Sequence, residues 1–195
     1  DVLGQSGEVF LNSEVEPWID VDPTDEDSIV GMWQQDRWSN GGSRGHVAGV
    51  SDDGGSTWTQ VVVPSVTVCS GGTAANGGDY QRTTDPWLSF GPDGTLYQIS
   101  LSFNDIVPPF GPEDEQPGGD FDHALLASRS TDGGHSWSPP EVVISDLDAN
   151  VFNDKQTITA DPTNANLVYA AWDRLVFPAS ERASVVASFN TSAFS

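Results

Sequence analysis

The sequence predicts an all-β fold, a β-propeller of four-stranded antiparallel blades, with about two and a half blades in its 195 residues. Three observations carry that prediction. A pattern of alternating residues, a polar turn and a β-branched or aromatic run occurs three times, anchored on Pro23, Pro92 and Pro162 at spacings of 69 and 70 residues. An eight-residue phrase occurs twice, as SDDGGSTW from Ser51 and as STDGGHSW from Ser130, 79 residues apart. No stretch keeps a helical hydrophobic period over three turns.

The first blade is expected over about residues 14–66. EPWIDVDP supplies a first strand, SIVGMWQQDRW a second, HVAGVS a third and TQVVVP a fourth. The second, over about 84–145, repeats this with DPWLSF, TLYQISLSF, HALLASRS and PPEVVI. The third, over about 152–195, runs through KQTITADP, NLVYAAWDRL and SVVASFNTSAFS and is incomplete. Trp33 and Trp172 both stand ten residues after their proline, which places them at matching points of second strands. Residues 1–195 thus form one partial propeller domain, to be completed by missing blades or by other chains. The insertion NDIVPPFGPEDEQPGGDFD, Asn104 to Asp122, explains why the phrases lie further apart than the prolines.

The repeated phrase falls on the turn between third and fourth strands. Its matched positions are Ser51, Asp53, Gly55, Thr57 and Trp58, then Ser130, Asp132, Gly134, Ser136 and Trp137. Aspartate can accept backbone N–H groups within its own turn. Glycine fits where a Cβ would clash, and tryptophan buries a large face. Those local roles use every residue type in the phrase, so it is expected to be a structural clasp.

Composition narrows the partners. Seven Lys and Arg against 29 Asp and Glu leave a net charge of -22, which opposes binding to nucleic acid or to anionic lipid. Cys69 is the sole cysteine, so no internal disulfide and no multi-cysteine metal site can form. No apolar run is long enough to span a membrane.

Function is expected on the rim opposite the clasps, where first strands begin and second strands end. Glu14, Glu16, Trp18, Arg82, Asp85, Trp87, Asn153, Asp154 and Lys155 fall there, as do Asp36, Arg37, Trp38, Asn104, Asp105, Asp173 and Arg174. With Arg44, five of the seven basic residues collect in this region of an acidic chain. Arg37, Trp38, Arg82, Asp85, Asp154, Lys155 and Arg174 are the candidate ligand-binding residues, because guanidinium forks and tryptophan faces suit sugars and carboxylates. The competing reading makes Asp36–Arg37 and Asp173–Arg174 structural ion pairs. In the insertion, Asp114, Asp120 and Asp122 are candidate calcium ligands, being hard oxygen donors; no cofactor is otherwise required.

The clasp phrase resembles the Asp box, or bacterial neuraminidase repeat, S-x-D-x-G-x-[T/S]-W, and at blade spacing the chain resembles the sialidase superfamily. That resemblance implies a propeller, usually six-bladed, an arginine triad for a substrate carboxylate, a Tyr–Glu nucleophile pair and an Asp acid/base. It further implies a secreted, extracellular protein with a glycan or other small extracellular ligand. The sequence departs from the family pattern. Val15 stands before Pro17 where the first arginine is expected, and no carboxylate lies between Trp38 and Ser51. No family catalytic residue is therefore assigned. Glycan recognition, an exo-sialidase or related hydrolase completed by further blades, and an assembly module are the three functional readings.

Overall fold

The computed structural model of the chain describes residues 7–104, 122–148 and 151–176, together with the backbone of strand 186–194. Among the described residues are eleven strands: β1 Val9–Val21, β2 Ile29–Trp38, β3 Ser43–Ser51, β4 Thr59–Val62, β5 Arg82–Phe90, β6 Leu96–Phe103, β7 His123–Ser130, β8 Glu141–Asp146, β9 Val151–Ala160, β10 Val168–Val176 and β11 Val186–Phe194. Among the described residues the only helical element is a single 3-10 turn, Val68–Ser70. No helix there is long and apolar enough to cross a membrane.

Pairing is antiparallel and follows chain order. β1 to β4 form a first meander, β5 to β8 a second, and β9 to β11 a third. The first two touch through one backbone pairing, Ser43 with Thr83. Two-residue alternation decides what lies between meanders. In β2, Val30 and Met32 face the second meander, where they join Ala48 and Val50 against Leu88, Phe90 and Leu96. One meander later, Ile99, Leu101, Phe103 and Leu125 meet Phe152, Ile158, Val168, Ala170 and Trp172. Each Val, Leu, Ile, Phe or Met among them, fully buried, stabilises the fold by about 1.5–3 kcal/mol, so these two interfaces form the core.

The two copies of the clasp phrase fold alike. Ser51 Oγ donates to Asp53 Oδ1 at 2.9 Å and accepts from the Gly55 amide at 2.9 Å. Asp53 accepts the Thr57 amide and hydroxyl, each at 2.7 Å. Ser130, Asp132, Gly134 and Ser136 repeat the pattern bond for bond. Gly55 and Gly134, at φ +86° and +95°, hold left-handed conformations that a side chain would strain.

The tryptophans that end the two phrases differ. Trp137 packs onto the Val30–Val50 cluster of the preceding meander. Trp58 is 48% exposed, which corrects the expectation that it is buried. Trp58 lies with Trp33 and Gly49 on the outer face of the first meander, and no described strand covers that face. Trp137 is half-buried, and its cover comes from the neighbouring meander, not from its own.

Candidate functional site

Each meander's first strand carries one extra residue at the same place. The register shifts between Val15 and Trp18 in β1, and between Thr84 and Trp87 in β5. Opposite Ala171 and Asp173 of β10, β9 shows the same shift. The residues inside these bulges are Glu16, Asp85 and Lys155, at φ +53°, +51° and +51°. Non-glycine residues are uncommon in this left-handed region, and backbone strain concentrates where a site needs it. A bulge re-aims its side chain, and these three converge. Pro17 and Pro86 follow immediately, since a bulge tolerates a residue with no N–H to offer the ladder.

Asp85 is the hub. Lys155 Nζ lies 3.2 Å from its Oδ2, and the Glu16 and Asp154 carboxyls come within hydrogen-bonding reach of it. Partial burial, then the proton shared with Asp85 and the charge of Asp85, raises the Glu16 pKa above the usual carboxylate range. Asp154 is raised for the same reasons, burial first. Burial pushes Asp85 upward too, but its contacts with Glu16 and Lys155 outweigh this and hold it low. Gln34 Nε2 donates to Glu16 Oε2.

Glu16, Asp85 and Lys155 line a cavity of about 430 Å³ with Trp18, Trp87 and Gln156. Trp18 stacks on Trp87 across the first two meanders, centroids 3.5 Å apart and planes 21° from parallel. Gln156 is 2% exposed, and its Nε2 donates to the Asp85 carbonyl at 2.6 Å. Its Oε1 has no hydrogen-bond partner. His46 is fully buried and neither ring nitrogen has a partner; burial drives its pKa down to about 3, so it stays neutral.

Of the residues expected from sequence to bind ligand, Asp85, Asp154 and Lys155 are brought together here. The arginines are engaged elsewhere. Arg82 is 1% exposed, which corrects its expected role as a ligand contact. Its Nη1 donates to Asn40 Oδ1 at 2.7 Å and the Gly41 carbonyl at 2.8 Å, and its guanidinium lies 4.7 Å over the ring of the buried Trp38. Trp38 is therefore a packing partner. Arg174 grips both Asp146 oxygens, with Nη2 to Oδ1 at 3.0 Å, and also donates to Asn153. That grip ties β10 to β8, with Asp146 as the partner where the structural reading expects Asp173; Asp36 likewise pairs with Arg44, at 3.6 Å, and not with Arg37.

Arg37 donates to Gln34 Oε1 at 2.8 Å. Strand alternation places Arg37 on the Trp33 side, but Asp36, at φ +60°, breaks the alternation and lets it reach Gln34. Both Arg37 and Arg174 sit at strand ends away from the clasps, opposite Ser43 and Asn153.

The calcium candidates Asp114 and Asp120 lie outside the described residues. Asp122 is half-buried, and its carbonyl accepts from the Asn104 amide at 2.9 Å. Among the described residues, no group of three or more His, Cys, Asp or Glu is arranged to hold a metal ion.

No protein-family model matches the chain, and no curated protein matches it in sequence. Solved structures do match. A Hadza microbial sialidase aligns at 17% identity and TM-score 0.51, over 82% of this chain and 32% of its own. A protein of unknown function from Dyadobacter fermentans aligns at 15% and TM-score 0.56, over 97% of this chain and 52% of its own. The Penicillium chrysogenum alpha-L-arabinanase complexed with arabinobiose aligns at 14% and TM-score 0.55, over 94% of this chain and 51% of its own. The fold is sialidase-like. The chain spans from about a third to about half of these propeller-fold neighbours.

The sequence held a signal for this site. Glu16, Asp85 and Lys155 are 69 and 70 residues apart, the same spacings as the prolines. Gln34, His46 and Gln156 carried no such mark, since burial of a polar side chain depends on the neighbouring meander.

Proposed function

We propose that the three meanders are blades of a secreted, extracellular propeller that recognises a glycan at the mouth formed by Glu16, Asp85, Asp154 and Lys155. One observation carries this reading: three strained bulges, one per meander, aim charged side chains into a single cavity beside an exposed tryptophan stack. A sugar needs hydroxyl partners and an aromatic surface for its C–H face, and both are present. Two of the matched neighbours carry the names sialidase and arabinanase, which supports a sugar ligand. Further blades, in the same polypeptide or in another, complete the ring.

Hydrolysis is the second reading, favoured by the opposed pKa shifts of Glu16 and Asp85, the pattern of an acid and a base sharing a site. Their carboxyls, however, are within hydrogen-bonding reach, closer than the ~5 Å of a retaining pair, which leaves no room for a glycosidic bond between them. Binding is therefore preferred. Calcium held by Asp114, Asp120 and Asp122 is part of the proposal, and melts with calcium and with chelator should differ.

Saturation-transfer NMR against a panel of neutral, acidic and amino sugars tests the reading. Binding that Asp85→Asn abolishes while the melting curve is kept supports it. Absence of any sugar signal, or binding untouched by Asp85→Asn, overturns it. Turnover of aryl glycosides lost in Asp85→Asn would promote the hydrolase reading.

A further inference from the structure

We infer that the ligand of this mouth is an amino sugar, whose primary ammonium takes the place of the Lys155 ammonium on Asp85; this rests on the glycan reading above. The groups facing the cavity are mostly acceptors. Glu16 and Asp85 line it, and Asp154 stands against Asp85. Gln156 lines it too, with its unpartnered amide oxygen enclosed away from solvent.

The donor already present is displaceable. The Lys155 side chain is 65% exposed, and its ammonium sits on Asp85 Oδ2, whose own side chain is 13% exposed. The half-buried carboxylate thus holds a tethered ammonium that can swing into solvent, and a ligand ammonium offers the same charge and geometry. Trp18, 37% exposed and stacked on Trp87, supplies an aromatic face at the cavity wall for the ring or its cation.

Acidic sugars fit poorly. Of the arginines expected to take a carboxylate, Arg82 is buried on Trp38 and Arg174 is held by Asp146. Arg37 is bonded to Gln34. A carboxylate in the mouth would find Lys155 already paired with Asp85 and would face Glu16 and Asp85 within a chain of net charge -22.

The test titrates the 195-residue chain, by saturation-transfer NMR, with a glucosamine dimer, its N-acetylated form, a glucuronic acid disaccharide and cadaverine. The glucosamine dimer should bind at least about tenfold tighter than the other sugars and than cadaverine. Lys155→Asn, in which asparagine tolerates the left-handed backbone, should tighten it several-fold further. Glucuronic acid binding as well as glucosamine, or Lys155→Asn weakening the amino sugar, overturns this inference and leaves the glycan reading standing. Cadaverine matching the glucosamine dimer overturns the sugar part. No signal from any sugar overturns the glycan reading itself.

Discussion

At the residue scale, Glu16, Asp85 and Lys155 combine unfavourable backbone with interacting charges. A non-glycine residue in the left-handed region costs roughly 1–3 kcal/mol, and here three do so at matching positions. The pKa shifts follow from the same crowding. Carbon-detected NMR titration should find Glu16 protonating above, and Asp85 below, the ordinary carboxylate range. Asp85→Asn should lower the Glu16 midpoint only part of the way, because burial, the larger cause, persists. A Glu16 midpoint that does not move would remove the coupling between them. The sequence revealed these residue types and their spacing, but not their convergence. A bulge inserts one residue without a signature in the alternation, and Glu16 in EVEP reads as an ordinary strand residue.

At the element scale, the clasps were legible because the bonds that their serine and aspartate make are local, within seven residues of Ser51 or Ser130. What buries their tryptophans was not, because that partner comes from the neighbouring meander. Trp137→Ala should therefore cost about 3 kcal/mol, within the range for large aromatic deletions, and Trp58→Ala under about 1 kcal/mol. Equal losses in thermal melts would contradict the packing described. The Asp146–Arg174 grip predicts acid sensitivity. Arg174, foremost, holds the Asp146 pKa below its ordinary value. A depressed carboxylate stabilises the fold above its unfolded pKa, and that stability is lost as pH falls through the folded one. Asp146→Asn should lower stability at neutral pH by about 1–3 kcal/mol, the worth of hydrogen bonds to a charged group, and flatten the acid limb of the melting profile. An unchanged acid limb would place the sensitivity elsewhere, with Asp132 of the second clasp the next candidate.

At the scale of the whole molecule, two features oppose one another. A net charge of -22 drives copies of the chain apart, while the outer face of the first meander exposes Ile19 at 59% and Trp58 at 48%. Trp33 shares that face, and its counterpart Trp172 is only 4% exposed because the second meander covers it. The repeat therefore marks the outer face as one built for cover by another meander. Below about 10 mM salt the Debye length reaches ~30 Å and repulsion should keep the chain monomeric; near 1 M it shrinks to ~3 Å and the apolar face should take over. Light scattering across that range is expected to show association rising with salt. A double variant, Ile19→Thr with Trp33→Ser, should suppress association without shifting the salt dependence of the melting temperature, since charge is unaltered. Association that persists in this variant would assign it to some other surface, and association that falls with salt would make it electrostatic.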